Sequence, residues 1–172
     1  MSNSYDDVMA RRSDIMRQAL ALDYDSFQHG DLVFDYDALM SSTGYRLDDV
    51  ARIQAETKVG PTPLYELHRL TEAVREIAGP GKGARILLKD EAANASGSFK
   101  ARRASLSAHE AQVKGFAGMV TATSGNYGAA VASQAAQRGL ACIVIQEIYD
   151  SQHVSQPEIV EKSRACEAYG AE

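Results

Sequence analysis

Apolar positions in the first third of the chain recur at helical spacing. The spacing predicts an amphipathic helix over residues 5–22, a short helix over 35–42 and a further helix that begins at Leu47. Residues 23–34 show no clear period and are predicted to be a loop. We therefore expect residues 1–58 to form a helical N-terminal extension that packs on a main domain or on a partner.

From Thr62 onward, short apolar runs alternate with longer helical patterns. The apolar runs predict strands at 64–67, 85–89, 117–122 and 140–146. The helical patterns predict helices at 71–78, 98–114, 126–138 and 157–169. Strands that alternate with helices indicate a parallel sheet with right-handed crossovers. The predicted fold class of residues 59–172 is therefore α/β, with helices flanking a parallel sheet.

Composition narrows the classes of function. The chain has 172 residues, of which 45% are hydrophobic, and this is enough to bury a core. Its net charge of −5 gives no basic surface for nucleic acid, and no apolar run approaches transmembrane length. Cys142 and Cys166 lack the CxxC spacing, so we expect reduced, buried or half-buried thiols. These features favour a cytoplasmic protein that binds neither nucleic acid nor membrane.

Two strand-to-helix turns carry the candidate chemistry. The first, S-G-S-F-K at 96–100, puts Lys100 in the first turn of a helix, and the second is T-S-G-N-Y-G at 123–128. Helix N-termini carry unpaired N–H groups that bind phosphates and carboxylates. A neutral lysine amine can attack a carbonyl group. If both preceding strands belong to one parallel sheet, the two turns lie side by side at the edge where such sheets bind ligands.

Each of these features also has an ordinary structural interpretation. Lys100 is consistent with a solvated lysine at a helix start, because most lysines are exposed. The second turn is consistent with a simple Ser/Asn N-cap. His153 is interpreted as a surface histidine. The run at 79–83 is interpreted as a turn and not as a phosphate loop, because neither Ser nor Thr follows Lys82.

A third motif, G-P-T-P-L at 60–64, precedes the two turns, and the order of all three resembles the fold-type II pyridoxal-phosphate enzymes. That family includes cysteine synthase, threonine synthase, serine/threonine dehydratase and the tryptophan synthase β chain. The resemblance runs from about Val59 onward. It implies that Lys100 carries the cofactor and that Asn126 hydrogen-bonds to the cofactor's 3′-hydroxyl. It also implies that one loop receives the substrate carboxylate, through Thr123, Ser124, Gly125 and Tyr127.

A more specific likeness covers nearly the whole chain. It rests on the helical extension and on S-G-S-F-K-A-R-R-A-S, S-G-N-Y-G-A-A-V-A-S-Q-A-A and Q-P-E-I-V-E-K-S-R-A-C-E-A-Y-G-A-E. These segments are similar to one branch of the family, the β subunits of acyltransferases (thiolases) that cleave 2-amino-4-oxopentanoate in ornithine breakdown. The likeness implies pyridoxal 5′-phosphate as cofactor, with an amino-acid substrate and coenzyme A. It also implies a smaller α subunit and contacts between copies of the chain as partners.

Two alternatives to the thiolase stay open. One is a β-replacement or β-elimination enzyme of the same fold, and the other is an inactive fragment with only a binding role. The sequence also lacks the Gly-rich phosphate loop that the family carries in a second domain. We therefore interpret the chain as the N-terminal part of a longer protein, and expect these 172 residues alone to be inactive. Strands 64–67 and 85–89 are expected to lack partners if they belong to that second domain's sheet.

Overall fold

The computed structural model describes residues 4–30 and 32–172. The chain divides into two compact units, Met1–Leu47 and Asp48–Glu172. No described side chain of the first unit is buried, whereas the second unit contains a hydrophobic core. The helices and strands of the first unit are α1 (Tyr5–Ala10), α2 (Arg12–Leu20), β1 (Gln28–His29), β2 (Val33–Phe34) and α3 (Tyr36–Ser42).

The prediction of one helix over residues 5–22 is wrong, because the chain breaks between α1 and α2. Arg11 leaves helical geometry at φ −105° and ψ 6°. Its Nε donates to the carbonyl oxygen of Asp7 at 3.1 Å and thereby satisfies a carbonyl at the end of α1. No Gly or Pro marks this break, so the hydrophobic spacing alone could not reveal it.

Residues 23–34, predicted to be a loop, contain a 3₁₀ turn and the antiparallel pair β1–β2. Aromatic rings hold this segment together. The Phe34 ring stacks on that of Tyr24 with centroids 4.3 Å apart and meets Tyr36 edge-on at 4.8 Å. Asp35 caps α3 by accepting a hydrogen bond from a backbone N–H of its first turn, which confirms the helix predicted there.

The second unit contains every helix and strand that the pattern predicts after Leu47. They are α4 (Leu47–Glu56), β3 (Leu64–Glu66), α5 (His68–Ala78), β4 (Leu87–Lys89), α6 (Lys100–Val113), β5 (Gly118–Ala122), α7 (Asn126–Gln137), β6 (Ala141–Ile145) and α8 (Pro157–Ala168). A 3₁₀ turn, Glu91–Ala93, lies between β4 and α6. The alternation of strands and helices is therefore confirmed.

The pairing of the strands differs in part from the prediction. β5 and β6 pair parallel, as expected, with Gly118 opposite Ala141. β3 and β4, however, form a separate antiparallel pair with Leu64 opposite Lys89, so the two strands are each other's partners. The Thr71 hydroxyl accepts from the backbone N–H of the residue before β4 at 2.9 Å, which fixes the returning chain beside α5. The α/β class holds, but a single parallel sheet of all four strands is not formed in the described residues.

The core of the second unit is built around α7. Every residue from Gly128 to Ala135 is buried, as expected for a helix of small residues with elements on all sides. The facing side of α6 presents Ala101, Ala104 and Ala108. Small side chains on facing helices allow their axes to come close together. Thr57, after α4, donates to Oε1 of the buried Gln134 at 2.7 Å, and this joins α4 to the same core.

Both cysteines lie in this core as free thiols. Burial raises the pKa of Cys142 and of Cys166 above the ordinary value. The thiols therefore stay protonated and weakly reactive near neutral pH. This confirms the prediction of reduced, buried side chains.

Candidate functional site

Lys100 is the first residue of α6 and follows a tight turn that begins at Asn94. Asn94 is 4% exposed, and its Oδ1 accepts from the backbone N–H of Gly60 at 3.1 Å. Gly97 has a φ of +74°, in the left-handed region that favours glycine, and its N–H donates to the Asn94 carbonyl at 2.7 Å. The half-buried Lys100 places its Nζ 4.6 Å from the centroid of the Phe99 ring.

The second turn joins β5 to α7. The N–H of Thr123 extends the strand ladder by donating to the carbonyl of Ile145 at 3.0 Å. Its hydroxyl accepts from the N–H of Gly125 at 3.1 Å, and this bond folds the loop against the helix start. Ser124 and Asn126 are exposed, and within the described chain their side chains form no hydrogen bond. Both are therefore free to contact a ligand.

Gly128 allows α7 to begin close to this loop. A Cβ at this position would lie 2.5 Å from Cγ2 of Thr123 and 2.8 Å from Cγ1 of Val144. Both distances are shorter than carbon atoms tolerate, so the side chains of Thr123 and Val144 would have to shift in a closely packed region. The last glycine of the T-S-G-N-Y-G motif is thus required by packing.

Helices α6 and α7 lie side by side with their N-terminal turns at the same end. The Arg103 guanidinium lies 4.8 Å from the centroid of the Tyr127 ring, and at the opposite end Arg138 donates to Gln112 Oε1 at 3.1 Å. Lys100 and the loop at 123–127 are thereby brought to one end of the helix pair. The expected cause was wrong, because β4 belongs to a different ladder from β5. Helix packing, and not a shared sheet edge, brings the two turns together.

This end of the molecule keeps hydrogen-bond donors available. Neither α6 nor α7 begins with a side-chain cap, and the first N–H groups of a helix have no partner inside it. Among the described residues, the buried hydroxyls of Ser96 and Ser98 have no hydrogen-bond partner, and neither does Nε2 of Gln146 after β6. An unsatisfied buried polar group costs about 1–3 kcal/mol. A polar, anionic ligand that reaches such groups is therefore favoured at this end.

Behind the Lys100 turn, Glu91 and Arg102 form a bidentate ion pair. Nη2 and Nε of Arg102 donate to the two carboxylate oxygens at 2.7 and 2.8 Å. The same carboxylate accepts from Thr62 Oγ1 and from Asn94 Nδ2, each at 3.0 Å. These bonds, with that of Arg102 the strongest, lower the pKa of Glu91 to about 2 against the desolvation that opposes them. The carboxylate is therefore ionised at neutral pH.

Arg102 also contacts two other segments. Nη2 donates to the carbonyl of Gly60 at 3.1 Å and Nη1 to Oε1 of Gln54 at 3.4 Å. The network thus joins α4, the G-P-T-P-L loop and α6. Sequence reasoning missed the role of Glu91, because two of its partners, Arg102 and Thr62, are 11 and 29 residues away along the chain and follow no period. Two sequence signals pointed to this region, the G-P-T-P-L motif and the S-G-S-F-K-A-R-R-A-S segment that contains Arg102.

Residues 55–172 match the family described as pyridoxal-phosphate dependent enzymes. The chain belongs to this family, and pyridoxal phosphate is its cofactor. The site described above fits that group. The amine of Lys100 can react with the aldehyde carbon of the cofactor. In the described chain, the uncapped starts of α6 and α7 and the buried hydroxyls without a partner provide hydrogen-bond donors for anionic oxygens.

Two curated relatives are similar to nearly the whole chain. The 2-amino-4-ketopentanoate thiolase beta subunit of an unknown prokaryotic organism is 60% identical over 169 residues, covering 98% of this chain and 36% of that protein. The protein of the same name from Acetoanaerobium sticklandii is 57% identical with the same coverage. The chain thus spans about a third of the length of these relatives.

Among solved structures, the cysteine synthase of Entamoeba histolytica superposes on this chain with a TM-score of 0.54 and 31% identity. The superposition covers 68% of this chain and 32% of that one. This likeness confirms the α/β class and the fold-type II architecture predicted from the three motifs.

Other kinds of site find less support in the structure. Over residues 4–30 and 32–172, no helix combines the length and apolar character needed to cross a membrane. The same residues include no group of three His, Cys, Asp or Glu side chains placed to hold a metal ion. His153 is exposed, which agrees with its interpretation as a surface histidine.

Proposed function

We propose that this chain is the N-terminal part of the β subunit of a 2-amino-4-oxopentanoate thiolase. The observation that carries the proposal is its 60% and 57% identity to two relatives of that name over 169 residues. The enzyme would be a cytoplasmic acyltransferase of ornithine breakdown that works with a smaller α subunit and with other copies of the chain. Residues 1–58 would form its helical extension, and residues 59–172 part of its catalytic region.

In this proposal Lys100 carries the cofactor and Asn126 hydrogen-bonds to the cofactor's 3′-hydroxyl. Support comes from the position of Lys100 directly after the turn that contains Ser96 and Ser98, whose buried hydroxyls have no partner among the described residues, and from the exposed side chain of Asn126, which has no hydrogen bond in the described chain. The substrate carboxylate would bind at the uncapped start of α7. The residues assigned to it are Thr123, Ser124, Gly125 and Tyr127.

When bound, pyridoxal phosphate supplies an electron sink for charge that develops on the substrate. The free amine of Lys100 would then move the proton at Cα. The thiolate of coenzyme A attacks the C4 carbonyl, the C3–C4 bond breaks, and the acetyl group passes to sulfur. C3 takes up a proton, so the products are acetyl-CoA and alanine. The carboxylate-binding loop keeps the substrate in place through both steps.

Two measurements on the complete protein with its α subunit test the proposal. Borohydride reduction in the presence of pyridoxal phosphate, followed by peptide mapping, should label Lys100. Turnover of 2-amino-4-oxopentanoate should consume one free thiol of coenzyme A for each alanine formed. Label on another lysine would contradict the assigned site. A labelled Lys100 without thiol consumption would contradict the thiolase reaction alone.

A β-replacement or β-elimination enzyme is the second candidate function, and the 31% identity to a cysteine synthase favours it. Such an enzyme acts on a hydroxy-amino acid or its ester and does not consume coenzyme A. The thiol assay therefore separates the two candidates, because only the thiolase removes free thiol in step with substrate.

The third possibility is that the chain has only a binding role, and it concerns residues 1–172 taken alone. We propose that these residues by themselves bind pyridoxal phosphate weakly and are inactive. Without the Gly-rich phosphate loop, the phosphate group would stay largely hydrated, and its transfer from water to the protein would gain little free energy. Titration with the cofactor, followed by dialysis, tests this. An absorbance band that survives dialysis, with one equivalent at Lys100, would contradict the proposal.

A further inference from the structure

We propose that the ion pair between Glu91 and Arg102 is a positioning device that fixes Lys100 at the start of α6. The inference rests on the proposed role of Lys100 as the residue that carries the cofactor. It adds two residues to the site that touch neither cofactor nor substrate, and that act through the turn on which Lys100 is mounted.

The first argument is geometric. The turn that presents Lys100 begins at Asn94, and α6 continues beyond it through Arg102. Glu91 bonds to both sides of Lys100, because its Oε2 accepts from Asn94 Nδ2 at 3.0 Å and from Arg102 Nε at 2.8 Å. One carboxylate oxygen therefore closes the segment from 94 to 102 into a loop. Lys100 is held within that loop.

The second argument concerns what else could fix the helix start. α6 has no side-chain cap, and capping is the usual way in which a first turn is held. Arg102 instead anchors this turn to the carbonyl of Gly60 at 3.1 Å and to Gln54 at 3.4 Å. The planar guanidinium makes these contacts and the bidentate pair at once, and the ammonium group of a lysine cannot reproduce that geometry.

The third argument is electrostatic. The first turn of α6 contains Lys100, Arg102 and Arg103 and no acidic residue. Cations at a helix N-terminus are disfavoured by the helix dipole and by one another. Within the described chain, the carboxylate of Glu91 is the group that forms an ion pair with this turn. Without it, the turn that carries Lys100 would lose its compensating charge.

A second ion pair of the same chemistry offers a matched control. Arg138 donates to Glu56 at 3.1 Å, and the pair joins α4 to the C-terminal end of α7. It lies at the end of the α6–α7 pair opposite to Lys100. Substitutions in this pair are therefore expected to reduce stability without moving the Lys100 turn.

The experiment compares Glu91→Gln and Arg102→Lys with Glu56→Gln and Arg138→Lys in the complete protein. Three quantities are measured: the dissociation constant of pyridoxal phosphate from its visible absorbance, the fraction of Lys100 labelled by borohydride, and the amide hydrogen exchange of residues 94–101. We expect the first two variants to weaken cofactor binding at least tenfold and to speed exchange in that segment. The two control variants should change the dissociation constant less than twofold, even where their unfolding midpoints fall as far as those of the Glu91 and Arg102 variants.

The possible outcomes separate this inference from the proposed function. Equal losses of binding in both pairs of variants, with Lys100 labelled in the unsubstituted protein, would overturn the positioning role and leave the proposed function intact. Absence of label on Lys100 in the unsubstituted protein would overturn both. If Glu91→Gln does not fold, Arg102→Lys keeps the positive charge and provides the same comparison.

Discussion

Each end of the α6–α7 pair has one arginine in an ion pair, Arg102 with Glu91 and Arg138 with Glu56, but the other cations at the N-terminal end have different partners. At the C-terminal end, the Arg138 side chain is 6% exposed and donates to Glu56 and to Gln112, each at 3.1 Å. At the N-terminal end, Lys100 and Arg103 lie against aromatic rings, and neither forms an ion pair within the described residues.

We expect the C-terminal end of the helix pair to contribute mainly to stability and the N-terminal end mainly to function. A cation near a helix C-terminus interacts favourably with the helix dipole, whereas a cation at the N-terminus does not. The cation at the C-terminal end is therefore paired with a carboxylate, whereas Lys100 and Arg103 at the N-terminal end have no acidic partner among the described residues. Departures from locally favourable choices are expected where a site must bind a ligand. Substitutions at the two ends should therefore affect different measurements.

The largest effect is expected for Lys100→Ala. Loss of a group that moves a proton in the reaction reduces turnover by about 10²–10⁴-fold. Stability should stay the same or rise slightly, because the change removes a cation from a helix N-terminus. Turnover, borohydride labelling and urea unfolding of the complete protein measure these effects. The control is Lys114→Ala beyond the other end of α6, and equal activity losses in the two variants would contradict the assigned role.

The next effect concerns the packing of α7 and appears in stability. Gly128→Ala should lower the free energy of unfolding by about 1–3 kcal/mol, because the added methyl group overlaps Thr123 and Val144. Gly125→Ala is the matched control, since a Cβ there meets no atom of the described residues within 4 Å. Urea unfolding measures both variants. A similar loss in both would show that the close approach at Gly128 does not limit stability.

A smaller effect is expected for Asn126→Ala, and it should appear in turnover. Gly125, and not Asn126, occupies the N-cap of α7, and the amide side chain forms no hydrogen bond in the described chain. The free energy of unfolding should therefore change by less than about 0.5 kcal/mol, while turnover falls about tenfold or more. If the free energy of unfolding instead fell by about 0.5–2 kcal/mol, as on loss of a helix cap, and turnover stayed unchanged, Asn126 would have a structural role only.

The sequence predicted the parts of this molecule that depend on local pattern. Lys100 and the loop at 123–128 were identified because each follows an apolar strand and opens a helix, and the structure has both at helix starts. Pairing between distant segments left no such pattern. The antiparallel pairing of β3 with β4 and the ion pair of Arg102 with Glu91 both depend on how the chain returns on itself. Such contacts between distant segments cannot be predicted from the spacing of apolar residues along the sequence.

The smallest expected effect tests the Glu91–Arg102 pair through pH. Hydrogen bonds, chiefly from Arg102, lower the pKa of Glu91 to about 2 in the folded protein, while an unfolded glutamate titrates near 4.3. The folded state thus binds the proton less readily than the unfolded state. The stabilisation is complete above the unfolded pKa and is lost as pH falls from about 4.3 towards 2. Thr62 and Asn94 also donate to this carboxylate and contribute in the same direction.

Glu91→Gln should therefore flatten the decline of unfolding free energy between about pH 4.5 and 2, by about 1 kcal/mol over that window. The effect is smaller than the full linkage value because the Arg102 side chain is 35% exposed and solvent screens the pair. Urea midpoints measured across the window provide the test. Glu161→Gln, at a side chain that is 75% exposed, should leave the slope as in the unsubstituted protein. If the Glu91 and Glu161 variants decline with the same slope, the carboxylate of Glu91 is not held by its partners in solution.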